Sequence, residues 1–509
     1  MDALKDLKTF NGHHDIVFYR NLTAVYFLFY AVIKTIFIFS GYDLFSEEAQ
    51  YWLWSRYPDW SYYSKPPLIA WINYATGLIG HHDSIIRLTA LAFGMAMLYG
   101  MYKVTLLLFQ QKRMAYLSTI LLSVSPYFIL VSTFFTTDSL LLFFWVATGY
   151  YFIKAVQNNA MADWFRTGLF FGLGCLSKYT MFFFLFALIP LFVVKEKKRY
   201  RKGILAFLMI GIVMFLPVII WNYQHDWVTI KHVFALSGGG TTHFTIWKSL
   251  TYLSEFMGGV LLINSPFLLY IVFRRNILLK TESWKGIPDA GKLAWLMLPV
   301  AGTISIFFVI SILKRTEVNW GAMSYLSLPV ILAYITERTN SYAKTLTLSA
   351  LTFVVILLLL FPLTVDRLGV SNILPISIDS MKRMAGWKQL SNTVCSLQKQ
   401  YPVPPLIITD NYHIASEISF YGGFDSLYCL NSGRRMNQFD IWGGLKQRNK
   451  QKALYITELT QPSRDALNFK NIEAQWTFPV IYRGKVIRTF NIFILNDFTG
   501  EAARGFNKF

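Results

Sequence analysis

From residue 23 onward the chain alternates apolar stretches with short basic clusters, and the stretches approach the roughly 20 residues that cross a bilayer's hydrocarbon core. That alternation excludes a soluble globular fold. The stretches fall at 23–40, 86–109, 114–133, 140–155, 167–176, 181–194, 203–221, 250–273, 293–313, 322–335 and 346–363, about eleven crossings by length. Between them, QQKR at 110–113, KEKKRYRK at 195–202, the cluster Arg274, Arg275, Lys280 and Lys285, and the pair Arg338 and Lys344 all lie on one side of the threading. Lys and Arg stay on the cytoplasmic side. The chain is therefore expected to begin in the cytoplasm, to use its first crossing as an uncleaved anchor, and, with an odd number of crossings, to end outside. The balance of 54% hydrophobic against 15% charged residues and a mean hydropathy of +0.40 agree with an integral membrane protein. A formal charge of +20, spread over short clusters, points to anionic lipid and to topology, and not to nucleic acid. Three cysteines exclude a disulfide framework, although Cys395 and Cys429 allow a pairing if their compartment is oxidising.

Between the first two crossings lies the stretch 42–71, YDLFSEEAQYWLWSRYPDWSYYSKPPLIAW, too polar to enter the bilayer. Helical spacing puts Glu47 on one face with Gln50, Tyr51 and Trp54. An acid beside flat aromatic surfaces is a surface for a sugar, and Tyr51, Tyr62 and Tyr63 are the candidate platforms. Lys65 supplies a cation presented by the stiff Pro66–Pro67 pair. The plain alternative is an aromatic belt at the membrane interface. A second outer loop, FFTTDS, carries Asp138, which can equally complement a helix N-terminus. SKYT carries Lys178, which can equally snorkel from a span end. Charges near membrane depth are costly and gather around cavities, which favours a site. A third outer loop, 222–244, contains the triplet Gly238 to Gly240, either an adaptable lid or an ordinary connector.

From about residue 366 hydropathy falls and strand-length apolar runs (LIITD, SLYCL, KALYIT, VIYRGKVIRTFNIFIL) mix with a helical ASEISFY. The chain is thus expected to divide into a membrane module, 1–365, and an outer α/β domain, 366–509.

Taken in order, EEAQYWLWS, DWSYYSKPPLIAW, STFFTTDSLLLFFW, LSKYT and PVIIWNYQHDW resemble the bacterial branch of the GT-C glycosyltransferases that use polyprenyl-phosphate sugars. That branch includes the lipid A aminoarabinose transferases and is related to the protein O-mannosyltransferases. The resemblance covers roughly residues 20–335. DNYHIASEISFYGG and GRRMNQFDIWGG also look like members of the branch, without an assignable chemistry. The resemblance implies a polytopic α-helical membrane protein of GT-C type with a periplasmic C-terminal domain, in a bacterial inner membrane, with its active site on the periplasmic side. It places Glu47 where the family has the catalytic aspartate of an Asp-Glu pair, Glu48 at the glutamate, Asp138 at the second-loop aspartate and Lys65 at the lysine of Lys-Pro-Pro. Two departures stand out. Glu47 is one methylene longer than aspartate, which matters for a base that must reach its proton. Ser64 stands where the aminoarabinose transferases carry an acid, which weakens the case for that donor and for a metal contact there.

The implied chemistry needs a base for the acceptor hydroxyl and cations for the charge developing on the departing phosphate. Glu47 would be the base, with Glu48 and Asp138 as its acidic companions, and Lys65 with Lys178 would hold the phosphate. A single displacement would invert the anomeric centre. The donor is a polyprenyl-phosphate-linked sugar; the acceptor is a lipid, glycan or protein. No cofactor is implied, and a divalent metal is left open. The competing class is a transporter or flippase for a lipid-linked or anionic solute, in which intramembrane charges line a path.

Overall fold

The computed structural model describes residues 13–193, 197–236, 245–274, 290–360, 375–377, 379–424, 427–430, 436–443, 451–462 and 467–501. Two compact units emerge. Met1–Ile38, Arg87–Leu216 and Gly240–Leu357 form the first; Phe39–Ile86, Pro217–Gly239 and Leu358–Phe509 form the second. This grouping cuts the chain differently from a single boundary at residue 366, because segments 39–86 and 217–239 pack with the C-terminal segment. The triplet Gly238 to Gly240 and the basic residues Arg275, Lys280 and Lys285 lie outside the described residues.

In chain order the helices before the C-terminal segment are α1 (His13–Ile38), α2 (Ser46–Ser55), α3 (Leu68–Gly77), α4 (Asp83–Phe109), α5 (Lys112–Ser123), α6 (Pro126–Val131), α7 (Thr137–Asn158), α8 (Met161–Cys175), α9 (Ile189–Val193), α10 (Lys197–Gln224), α11 (Val228–Leu236), α12 (Ile246–Ile263), α13 (Pro266–Arg274), α14 (Ala290–Leu313), α15 (Ser327–Thr339) and α16 (Tyr342–Leu360). Among the described residues seven helical stretches are long and apolar enough to cross a membrane, so the chain is a multi-pass membrane protein, while the expected count of about eleven is not confirmed. The other stretches are interrupted. The run 114–133 breaks into α5 and α6 at Pro126, which takes the first position of a new helix because its missing N–H is tolerated only there. The run 181–194 is wound as tight 3-10 turns over Tyr179–Leu188 before the short α9.

Within the first unit, several buried polar side chains pair with one another or with backbone carbonyls, the arrangement that hydrocarbon surroundings favour. Tyr30 meets Ser132 at 2.8 Å, Thr105 meets Ser118 at 2.9 Å and Ser265 meets Thr352 at 2.8 Å. Lys34, deep in α1, donates to Ile129 O at 2.6 Å and to Thr133 Oγ1, so its amine is held by one carbonyl of α6 and one hydroxyl just beyond that helix. Helices α8 and α10 approach through Gly168 and Gly172, spaced four apart as in small-residue membrane contacts. A Cβ at Gly168 would lie 2.9 Å from Phe207 O, a backbone atom that cannot rotate away. Gly168→Ala is therefore expected to destabilise the protein by about 1–3 kcal/mol, the usual cost of overpacking, read as a lower thermal midpoint in detergent. An unchanged midpoint would show that this helix pair is loose.

In the second unit the C-terminal segment builds a five-stranded sheet from β1 (Leu406–Thr409), β2 (Leu427–Cys429), β3 (Gln451–Thr457), β5 (Asn471–Tyr482) and β6 (Lys485–Phe498), while β4 (Leu467–Asn468) and β7 (Gly500–Glu501) pair separately. The order is β2-β1-β3-β6-β5. Strand β1 runs parallel to β2 and β3, and β6 is antiparallel to β3 and β5. The β5–β6 hairpin turns on Arg483 and Gly484, both at positive φ, as a two-residue hairpin loop demands. Ile408, Tyr455, Phe493 and Leu495 fill the core on one face. Helices α17 (Trp387–Gln398), α18 (Tyr412–Gly422) and α19 (Gln438–Ile441) complete an α/β arrangement of the kind read from the sequence. Cys175, Cys395 and Cys429 are all free thiols.

Candidate active site

The residues singled out from the sequence fall in both units: Glu47, Glu48, Tyr51, Tyr62, Tyr63 and Lys65 in the second, Asp138 and Lys178 in the first. In the second unit, helix α2 begins at Ser46, and its two acids have different surroundings. Glu48 is fully buried, and its Oε2 accepts from Phe45 N–H at 3.0 Å, satisfying one of the donors a helix start leaves open. Glu47 is half-buried, and Tyr51 OH donates to its Oε2 at 3.4 Å. The helical face expected for Glu47 and Tyr51 is thus formed.

The aromatic residues that follow pack mostly on one another. Tyr51 meets Trp54 edge-on at 5.3 Å, and Trp54 stacks on Tyr62 at 4.7 Å. Tyr62 is 0% exposed; its hydroxyl donates to Trp54 O and Tyr57 O, both at 3.0 Å, and accepts from Asp59 N–H. Burial raises its phenol pKa, so it stays protonated. Tyr63 is buried against the His232 ring at 4.6 Å, and its N–H donates to Gln438 Oε1 at 2.7 Å. These rings form the interior of the loop. Asp59 ties the loop together by accepting from Trp221 Nε1 at 2.7 Å through Oδ2 and from Trp71 Nε1 at 2.9 Å through its carbonyl. Lys65 is half-buried in a turn closed by Tyr62 N–H donating to Lys65 O at 3.1 Å, immediately before the two prolines that lead into α3.

In the first unit the structure brings Asp138 and Lys178 together. Asp138 sits in the first turn of α7, and Lys178 is the extended residue that precedes the 3-10 segment Tyr179–Leu188. Lys178 Nζ donates to Asp138 Oδ1 at 2.6 Å, with both side chains under a tenth exposed. Asn319 completes the group: its Nδ2 donates to Asp138 Oδ2 at 3.3 Å, and its carbonyl accepts from Lys178 at 3.4 Å. A lysine held this way has its charge answered by Asp138, and the pair is rigid because each partner has a second bond. Nothing in the sequence singled out Asn319; it lies in a short polar interruption, KRTEVNWG, between two apolar runs.

A further group was also missed. Asp43 Oδ2 accepts from Trp387 N–H at 2.8 Å and Lys388 N–H at 3.3 Å, so a residue of the first outer loop caps α17, which has no cap of its own. Burial raises the Asp43 pKa, and those two N–H groups partly offset the rise. Glu417, on α18, is 0% exposed beneath Ser46 and Glu48. The available signal was an acid three residues after the buried Ile414, on the same helix face. Among the described residues no group of three or more His, Cys, Asp or Glu side chains is arranged to hold a metal ion.

Comparison with known proteins finds likenesses in family, in sequence and in fold. The family described as dolichyl-phosphate-mannose-protein mannosyltransferase matches residues 64–221. The lipid A galacturonosyltransferase RgtD of Rhizobium johnstonii is 28% identical over 394 residues, which is 77% of this chain and 80% of that protein. In fold the chain is similar to ArnT of Cupriavidus metallidurans, with a TM-score of 0.62 at 12% identity for the form bound to undecaprenyl phosphate and 0.59 at 13% for the apo form. Each alignment covers 92% of this chain and 97% of that one.

Proposed function

We propose that this chain is a GT-C glycosyltransferase that moves a sugar from a polyprenyl-phosphate carrier to a hydroxyl of lipid A at the periplasmic face of a bacterial inner membrane. The sugar we assign is galacturonic acid, by likeness to the galacturonosyltransferase relative. Ser64 agrees with this. A carboxylate at that position would attract the ammonium of an amino sugar and repel a uronate, and a serine does neither.

The observation that carries the mechanism is the difference between the two adjacent acids. Glu48 is buried and capping its own helix, whereas Glu47 is half-exposed on a rigid helical turn. Glu47 is therefore the base. It takes the proton as the acceptor oxygen attacks the anomeric carbon; the bond from that carbon to the phosphate oxygen breaks, and polyprenyl phosphate leaves with its charge met by Lys65. The displacement inverts the anomeric centre. Asp138 and Lys178 act as one charged pair and not as a separate acid and cation. Tyr62 and Tyr63 shape the loop from inside, and Tyr51 orients Glu47 through its hydroxyl. Residues 366–509 form the outer domain of this reading.

The transporter reading is not favoured, since both the matched family and the RgtD relative are transferases. The test is transfer by the purified protein in detergent from undecaprenyl-phosphate galacturonic acid and, in parallel, from undecaprenyl-phosphate aminoarabinose, with the lipid A product read by mass. Galacturonic acid added to lipid A is the expected result. Transfer of aminoarabinose alone would overturn the donor assignment, and no transfer from either would overturn the function.

A further inference from the structure

The backbone leading into α2 is fastened to the C-terminal segment residue by residue. Asp43 caps α17 as described, and Leu44 N–H donates to Tyr421 OH at 2.7 Å. One turn into the helix, Trp52 meets Phe420 edge-on at 4.9 Å. Both Tyr421 and Phe420 come from α18, and that helix also carries Glu417 into the interior at 0% exposure. The hydrogen-bonding side chain that faces the Glu417 carboxyl is that of Ser46, the first residue of α2, and neither carboxyl oxygen has a closer partner. The electrostatic neighbours of Glu417 are Asp43 from the loop, Ser46 and Glu48 from the first turn of α2, and Arg488 from β6. Arg488 stacks over Trp387 at 4.2 Å and donates to Ala385 O at 3.2 Å.

We propose that Glu417 is a positioning residue for sugar transfer, fixing the first turn of α2 from beneath and, through that turn, Glu47. The inference rests on Glu47 being the base. A buried carboxyl group is costly unless it is partnered, and α18 spends a fully enclosed position on one that faces Ser46, the first residue of the helix that presents the acid of the reaction. Three carboxyl groups (Asp43, Glu48 and Glu417) share this enclosed space with one guanidinium, and like charges so close do not all ionise. Glu417, fully enclosed, is pushed toward its neutral form. Burial pushes its pKa well above the ordinary carboxyl range, with Asp43 and Glu48 adding to the rise and Ser46 and Arg488 opposing it. Further out, Asp83 and Lys388 act on Asp43, Glu458 acts on Arg488, and Tyr421 stays protonated beside Glu417.

The protonated form is thus favoured in the fold, while the unfolded chain ionises near pH 4 to 5, about the free carboxyl value. Stability from this group is complete below that range and falls as pH rises. Glu417→Gln keeps the neutral shape without the proton to lose.

The experiment compares the full-length wild type, Glu417→Leu and Glu417→Gln in detergent, measuring kcat and donor KM with undecaprenyl-phosphate galacturonic acid, and the thermal midpoint from pH 5 to 8. Losing one polar anchor should lower kcat of Glu417→Leu about tenfold with donor KM unchanged. Glu417→Gln should recover most of that loss, and its midpoint should gain on the wild type as pH rises. Should Glu417→Leu fold poorly, Tyr421→Phe removes the partner of Leu44 N–H and is expected to show the same fall in kcat. Wild-type kcat in Glu417→Leu or in Tyr421→Phe would overturn the proposal. So would Glu417→Gln falling as far as Glu417→Leu while being less stable at every pH, the pattern of a carboxylate ionised against Arg488. A wild type that transfers no sugar would sink the functional reading instead, and the midpoint comparison would still show whether Glu417 is neutral.

Discussion

Glu47→Gln is expected to lose about 10² to 10⁴ in kcat, the usual worth of a positioned general base, while donor KM and the thermal midpoint stay near wild type. The amide is nearly isosteric, and it can still accept the Tyr51 hydroxyl bond seen at 3.4 Å, so the helix turn should not move. What it cannot do is take a proton. Glu47→Asp asks whether the site has been rebuilt around the longer side chain: shortening by one methylene withdraws the carboxylate from its proton, and a rate well below wild type is expected if the surrounding loop is fitted to glutamate. Glu48→Gln has the opposite signature. Its carboxylate accepts from Phe45 N–H in a fully buried position, so that variant should lose stability first, because a charge-assisted bond is replaced by a neutral one. If Glu47→Gln turns over at the wild-type rate while Glu48→Gln is folded and inactive, the base has been placed on the wrong neighbour.

How much of this was legible in the sequence depends on whether the physics was local. Membrane crossings are local: hydrocarbon demands a run of apolar residues, and the basic turns between runs mark their ends. The strands of the C-terminal segment are local in the same sense, although the run VIYRGKVIRTFNIFIL, taken whole in the sequence, hides the hairpin turn that Arg483 and Gly484 make. The count of crossings is not confirmed, because local rules compete, as at Pro126, which begins a new helix inside a single apolar run. The site was half legible. Glu47 and Tyr51 share a face because they are four residues apart. Tyr62 and Tyr63 look like sugar platforms in the sequence, but an aromatic ring that stacks on sugar and one that stacks on Trp54 are written with the same letter. Glu48 escaped as a cap because the familiar cap pattern expects Ser or Thr three residues earlier, and here that residue is Phe45. Asp138 and Lys178 were each visible, but their pairing across 40 residues is a tertiary fact. The same holds for Asp43 capping α17 from 344 positions away.

That pairing sets the last expectation. Asp138→Asn and Lys178→Met should each destabilise the protein by about 3–5 kcal/mol, because removing one partner leaves the other charge buried without its counter-ion. The side chains are only 9% and 7% exposed, so water cannot take over the lost role. Asn319 cannot substitute either, since in the wild type it already gives its amide to Asp138 and its carbonyl to Lys178. The double variant should be far more stable than the sum of the two losses, because with both charges gone nothing costly remains buried. Activity then separates structure from chemistry. If the pair only braces α7 against the 3-10 segment that follows Lys178, the double variant regains kcat together with its thermal midpoint. If the charges act on the departing phosphate, the double variant regains its midpoint and stays slow. Singles that match the wild-type midpoint would show that the two charges are solvated in solution, and the pair would lose both roles.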